Sequence, residues 1–369
     1  MSKYEPVMSG TYACGTKRFS FVDEGRPEVL GKGGYRKVAV RLYYPCDHEA
    51  VELLPQGRLM SVHTADGVKK QYHFDIDKMG NYADFYENVE VADGKFPLIV
   101  YSHGYGSYAE DNNHLCMDLA SHGYIVMSIA HTHEALGIDF SDGSYAMFDG
   151  TTIKRMYGGN LVKYLFDVMK LERAKGSDEV KYYKFRTFAD GMDFAKQRIV
   201  QWGHDTISAV NKLKDMDIAE HIDWDKGIGC TGHSFGGATA YWLCLYHPDE
   251  YVCGINIDGA LFGEHASLPM KRPFCQISCE ANVNTQTRVF VDNEAPAYSL
   301  VFRRNTHAGF TDLKFIDKMK GQTGKMDPQI MYENLFGAHI GMFDRYLKGV
   351  EDMVVGRPSE FIIYREEQK

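Results

Sequence analysis

A chain of 369 residues with 44% hydrophobic, 13% aromatic and 25% charged side chains can bury one large core with insertions, or two ordinary ones. Its net charge of −9, from 41 Lys and Arg against 50 Asp and Glu, excludes the concentrated positive field that nucleic-acid binding needs. The opening Met1-Ser2-Lys3-Tyr4-Glu5-Pro6 has no apolar signal core, no run approaches ~18 apolar residues, and the eight cysteines are scattered through apolar segments; a cytoplasmic protein without membrane insertion or disulfide framework is expected.

Residues 1–30 read as irregular, with a short strand at Phe19–Val22. Lys37–Tyr44 alternates basic or small with apolar residues and reads as a half-exposed edge strand ended by Pro45. Residues 46–95 give mixed signals, with weak helical content at Tyr82–Asn88. From Pro97 the texture changes. Leu98–Ser102 and Ile125–Ile129 are short continuous apolar runs, the mark of strands buried on both faces, and a helix at His114–Ser121 separates them. That alternation predicts an α/β fold with a mostly parallel central sheet flanked by helices. It resumes with a helix over Gln197–Leu213, a strand at Gly227–Thr231, a helix at Ala238–Tyr246, strands at Val252–Ile257, Phe274–Ser278 and Tyr298–Phe302, and a closing helix over Gln329–Leu347. Between residues 134 and 196 the winding stops, and this segment reads as a cap inserted into a single domain spanning 1–369.

The most specific feature is Gly232-His233-Ser234-Phe235-Gly236-Gly237, set between a strand and a helix. A G-x-S-x-G elbow needs small residues beside its serine because the backbone turns sharply there. The turn lifts Ser234 Oγ above the sheet edge and puts the Phe235 N–H at a helix N-terminus, aimed where an oxyanion would form. A second donor is expected from His103-Gly104-Tyr105-Gly106-Ser107, whose Tyr105 N–H can share that charge. His103 itself reads as a structural residue of the loop.

A serine nucleophile needs a histidine base, and the base needs a carboxylate. Of the downstream histidines 247, 265, 307 and 339, His247 reads as a helix-end residue and His339 as packed in the final helix against the sheet. His307 follows the last predicted strand, where this topology returns the base over the nucleophile. Two acids compete. Asp258 ends the strand Val252–Ile257, and Glu280 follows Phe274–Ser278; spacing alone leaves both open.

These residues resemble the platelet-activating factor acetylhydrolase family, the lipoprotein-associated and type II kind. The likeness runs through Arg41-Leu42-Tyr43-Tyr44-Pro45, Pro97–Gly104, Asp118-Leu119-Ala120-Ser121-His122-Gly123-Tyr124-Ile125-Val126, Gly232–Thr239, Gly254–Asp258 and Thr306–Asp312, most of residues 38–347. The α/β-hydrolase fold is what the resemblance implies, with Ser234, Asp258 and His307 as triad. It also implies metal-independent hydrolysis of short acyl esters, including platelet-activating factor and oxidised phospholipids. The segment 134–196 departs from the family pattern, which leaves the lipid substrate an expectation.

No cofactor and no metal are expected. His131-Thr132-His133-Glu134 looks like a ligand cluster, but it lacks a source of further ligands and reads as a pocket rim. Cys275 and Cys279 span a strand rather than a chelating loop, and Gly31-Lys32-Gly33-Gly34 lacks the phosphate-loop pattern. The expected partner is a small-molecule or lipid ester. The sequence is compatible with a monomer or a homo-oligomer. Two other functions fit the same fold: a serine peptidase or amidase, and a catalytically silent binding module.

Overall fold

The computed structural model describes residues 4–31, 33–262 and 268–368; His265 and Lys32 lie outside them. The chain divides into two compact units, one built mainly from Val7–Asp149 and His204–Lys226, the other from Gly150–Gly203 and Gly227–Lys369.

The first unit begins with two long strands, β1 (Ala13–Pro27) and β2 (Tyr35–Cys46). Short elements follow: α1 (His48–Val51), β3 (Gly57–Arg58), α2 (Val62–Tyr72), α3 (Ile76–Met79), β4 (Tyr82–Ala83) and β5 (Tyr86–Glu87). The helical content expected at Tyr82–Asn88 is therefore two short strands, and α2, with its mixed Lys and Thr composition, went unforeseen. Then come β6 (Leu98–Ser102), α4 (Asn113–Ser121) and β7 (Ile125–His131), close to their expected bounds, and a hairpin of β8 (Gly137–Asp139) and β9 (Tyr145–Met147). Every residue of β6 and β7 is buried, as continuous apolar runs require. They pair in parallel, whereas β2 pairs antiparallel with both β7 and β1.

The expected half-exposed edge strand is thus an interior one. In β2 only Tyr35 and Lys37 escape burial. The basic residues that suggested a wet face are paired inside instead. The Arg41 guanidinium lies 4.7 Å from the Phe85 ring, with Nε 3.5 Å from Glu110. Arg36 makes ion pairs with Glu28, Glu134 and Asp205. Alternation of charged and apolar residues loses its meaning when each charge has a buried partner.

In the second unit three helices come first: α5 (Thr152–Met156), α6 (Leu161–Glu172) and α7 (Asp178–Ala189). The long helix α8 (Asp193–Lys214) belongs partly to each unit. Its buried side runs through Ala195, Ile199, Trp202, Ala209, Val210 and Leu213. The strand–helix alternation continues as β10 (Ile228–His233), α9 (Phe235–Tyr246), β11 (Tyr251–Ile257), β12 (Phe274–Cys279), β13 (Ala297–Phe302) and α10 (Pro328–Phe343). Asp327 caps α10 by accepting the Gln329 N–H at 2.9 Å, and Pro328 occupies the first turn, where its missing N–H costs nothing. β10 through β13 are all parallel. A last strand, β14 (Ile362–Glu367), adds antiparallel to β13. Its half-charged sequence gave no strand signal.

The helices α6 and α7 are tied to the turns after β12. Asn284 Nδ2 donates to the carbonyls of Leu171 and Glu172 at the end of α6 (2.9 and 3.0 Å). Phe185 of α7 packs on Phe262 with ring centres 5.7 Å apart, and Arg365 of β14 binds Asp178 at 2.6 Å.

Candidate active site

Ser234 occupies the turn between β10 and α9 with φ 56° and ψ −118°, a conformation that L-residues hold only when the surroundings over-determine it. Its own N–H is held by Ile257 O at 2.7 Å. Space around the turn is rationed. A Cβ on Gly237 would stand 1.9 Å from Asn256 Oδ1, and one on Gly259 would stand 2.0 Å from Ser234 O. Glycine at 237 lets the helix start against β11; glycine at 259 lets the turn after Asp258 close on Ser234.

Three expected residues meet here. His307 Nε2 lies 2.9 Å from Ser234 Oγ, and His307 Nδ1 lies 2.7 Å from Asp258 Oδ2. His307 sits in a 3₁₀ turn, His307–Phe310, after β13; Asp258 follows β11. The imidazole is 46% exposed while the Asp258 side chain is fully buried, so the serine–imidazole end meets solvent and the acid does not. The rival acid, Glu280, accepts the Arg304 N–H at 3.2 Å instead.

Several residues that hold this chain in place were not assigned to it from the sequence. The Asp258 carboxylate accepts the Cys279 N–H at 2.8 Å and the Asn282 amide at 2.7 Å. Cys279 Sγ lies 3.3 Å from the same carboxylate, and burial, with the Asp258 charge next, pushes its thiol up, so it remains a donor. His233 Nε2 donates to the backbone carbonyl of His307 at 3.0 Å, with the two rings 4.6 Å apart. The only signal for His233 was its place inside the elbow motif.

Two of the other histidines weighed as bases have structural contacts. His247 ends α9, its N–H bonded to Leu243 O. His339 is buried, donating from Nδ1 to Leu335 O at 2.7 Å and facing Thr231 Oγ1 from Nε2 at 3.0 Å; burial pulls its pKa down to about 4. In the segment His131–Glu134, expected as a pocket rim, His131 and Glu134 are fully buried and His133 is partly buried. His131 Nδ1 is 2.9 Å from Asp205 Oδ2 and its Nε2 is 3.2 Å from Ser102 Oγ. That is a second Ser–His–Asp chain, yet all three side chains are buried and no substrate could reach it. The reason lies in Arg36, which gathers Asp205, Glu134 and Glu28 around one guanidinium. Among the described residues no group of three His, Cys, Asp or Glu side chains could hold a metal ion. All eight cysteines are free and buried. Among the described residues no helix is long and apolar enough to cross a membrane.

Of the expected oxyanion donors, Phe235 is the first residue of α9, its ring 4.9 Å from Trp202. Tyr105 lies in the turn after β6, its ring 5.8 Å from Phe148.

Comparison with known proteins places the architecture first. A ferulic acid esterase from Streptomyces cinnamoneus superposes with a TM-score of 0.69 at 21% sequence identity, covering 96% of each chain, and the fold is that of an α/β-hydrolase. Residues 3–353 match the family model of platelet-activating factor acetylhydrolase, isoform II, and the chain belongs to that family. The platelet-activating factor acetylhydrolase of Bos taurus is 25% identical over 333 residues, which cover 84% of this chain and 68% of that one. That of Cavia porcellus is 24% identical over 280 residues, covering 69% of this chain. This chain spans 58% of the length of the Cavia porcellus enzyme and 54% of its Canis lupus familiaris counterpart, which is 27% identical over 278 residues.

Proposed function

We propose that the chain is a serine carboxylic-ester hydrolase working through an acyl-enzyme, with Ser234 as nucleophile, His307 as base and Asp258 as the acid that orients it. The continuous hydrogen-bonded path from Ser234 Oγ through His307 to Asp258, at 2.9 and 2.7 Å, carries this reading. His307 takes the Ser234 proton as Oγ attacks the ester carbonyl. Negative charge then develops on the carbonyl oxygen, where the N–H groups of Phe235 and Tyr105 are assigned as donors. His307 protonates the leaving alcohol, and water, deprotonated by the same imidazole, releases the acid. Asp258 keeps the proton of the neutral ring on Nδ1, so that Nε2 can accept, and stabilises the imidazolium that forms.

Short acyl esters are the proposed substrates, with platelet-activating-factor-like and oxidised phospholipids among them; the names of the relatives support an acetyl ester. The helices α5–α7 are proposed as a cap that selects the alcohol side. Eight buried free thiols suit a reducing compartment, and a cytoplasmic location is the one they favour. Ser234→Ala should abolish turnover of p-nitrophenyl acetate and labelling by a fluorophosphonate while leaving the thermal melt intact. Turnover at the original rate would end the proposal.

A further inference from the structure

The first unit contains a buried polar network for which the proposed chemistry has no use, and it converges on one peptide bond. His103, fully buried, has both ring nitrogens engaged by partners whose roles are not open to choice. A backbone N–H, that of His131, points at His103 Nε2 from 3.2 Å, so Nε2 accepts. The ring proton therefore sits on Nδ1, which donates to Gly104 O at 2.7 Å. Burial, with the His131 ring beside it, lowers the His103 pKa to about 3, and this one tautomer persists across neutral pH.

The Gly104 carbonyl accepts a second donor, the Ser107 N–H at 2.9 Å, closing a turn in which Gly106 has φ 72°. Gly106 N–H is held in turn by Glu134 O at 2.8 Å. In a trans peptide the carbonyl and the following N–H point in opposite directions. Fixing Gly104 O therefore fixes the line along which the Tyr105 N–H points.

Behind His103 the support is ionic. His131 is held through Nδ1 by Asp205, whose carboxylate receives Arg36 Nε and Nη2 at 3.1 and 2.6 Å and Arg26 Nη1 at 2.8 Å. The Arg36 charge and the His131 hydrogen bond hold the Asp205 carboxyl below the usual range despite its burial. Buried ion clusters of this kind add little net stability compared with apolar packing, and their best-attested use is to define one arrangement.

We propose that His103 is a positioning residue whose imidazole, locked by His131 and the Asp205–Arg36 pair behind it, sets the orientation of the Gly104–Tyr105 peptide for oxyanion binding. The inference rests on the assignment of the Tyr105 N–H as a donor in the proposed reaction. His103 acts through that peptide and does not touch substrate.

Two isosteric changes separate the functions of the ring. His103→Asn keeps an N–H donor where Nδ1 stands and loses the acceptor; His103→Gln keeps an acceptor where Nε2 stands and loses the donor. The expected result is a kcat within about tenfold of wild type for His103→Asn. His103→Gln should lose ~10²–10³-fold in kcat with KM nearly unchanged, the size of one oxyanion donor. A trifluoromethyl ketone, which forms a tetrahedral oxyanion on the serine, should bind His103→Gln weaker by the same factor. A folded His103→Gln enzyme with wild-type kcat, or one that loses kcat while binding the ketone at full strength, overturns the proposal. If His103→Gln does not fold, His103→Asn decides alone, since a hundredfold loss with the donor retained also overturns it. Ser234→Ala runs alongside. Turnover surviving in that variant defeats the serine-hydrolase reading itself, whereas its loss beside an unaffected His103→Gln defeats only the role of His103.

Discussion

Asp258 and His307 are joined by a 2.7 Å hydrogen bond between a fully buried carboxylate and a ring that is nearly half exposed. The exposed partner alone would rotate freely; the buried one cannot, because the Cys279 N–H and the Asn282 amide hold its two oxygens. Orientation thus passes outward from the core to the solvent-facing imidazole. Asp258→Asn replaces an acceptor by a donor at the His307 contact and favours the wrong tautomer, so kcat should fall by about 10³–10⁴ with little change in KM. Glu280→Gln, which touches only the Arg304 N–H, should stay within about threefold of wild type. Parallel kcat and KM measurements on the two variants distinguish the acids.

The position after Asp258 is as constrained as the acid. A methyl group on Gly259 would stand 2.0 Å from Ser234 O and 2.6 Å from Asn256 Oδ1, both in packed surroundings. Gly259→Ala should therefore push the acid turn away from the elbow, lowering both the melting temperature and kcat. The overpacking penalty is about 1–3 kcal/mol. A thermal melt paired with p-nitrophenyl acetate kinetics measures the two effects, and an unshifted melt would show that the turn has room to spare.

Acid should unfold this protein earlier than its carboxylates alone would dictate. His339 and His103 are buried as neutral rings, with folded pKa values of about 4 and about 3 against an ordinary 6.5. Between those limits the unfolded chain binds protons that the folded chain refuses. Stability is therefore complete above about pH 6.5 and declines as the pH falls, by up to about 1.4 kcal/mol per unit for each such histidine. The depressed Asp205 carboxyl adds a further loss only below the ordinary carboxylate range. His339→Gln removes one titrating ring while keeping an acceptor for Thr231 Oγ1. Urea titrations from pH 7 to pH 4 should show a shallower pH slope in this variant, and an unaltered slope would refute the assignment of His339.

What could be read from the residues alone follows from how local each constraint is. The elbow around Ser234 is legible because the strand, the turn and the helix that shape it are consecutive. The strands Leu98–Ser102 and Phe274–Cys279 are legible because burial on both faces leaves an unbroken apolar run. Asp258 and Glu280 could not be separated by spacing, since each follows a strand of the same parallel set and only register brings one to the imidazole. The interior place of β2 was hidden because Arg36 and Arg41 have the charges of surface residues. Their partners, Asp205 and Glu110, are distant in the chain. His233, Cys279 and Asn282 fall in the same class, their roles existing only after folding.

Asn282 and Asn284 stand two residues apart and face different tasks. Asn282 donates to Asp258, and Asn284 donates to the carbonyls of Leu171 and Glu172 that end α6, the first of which also accepts the Ala174 N–H. The turn Val283–Thr285, which Asn282 caps and which contains Asn284, is thus a shared anchor for Asp258 and for the proposed cap. Asn284→Ala removes only the second contact, so the end of α6 should loosen by the worth of one or two hydrogen bonds, about 1–2 kcal/mol. Amide exchange within Leu161–Glu172 should accelerate accordingly. Because Asn282 and the bonds that join Ser234, His307 and Asp258 are untouched, kcat for p-nitrophenyl acetate should remain near wild type. The KM of esters with large alcohol groups should change if α6 frames that side of the substrate. Faster exchange in α6 with identical KM values across a series of alcohols would deny the helix any part in selecting substrate.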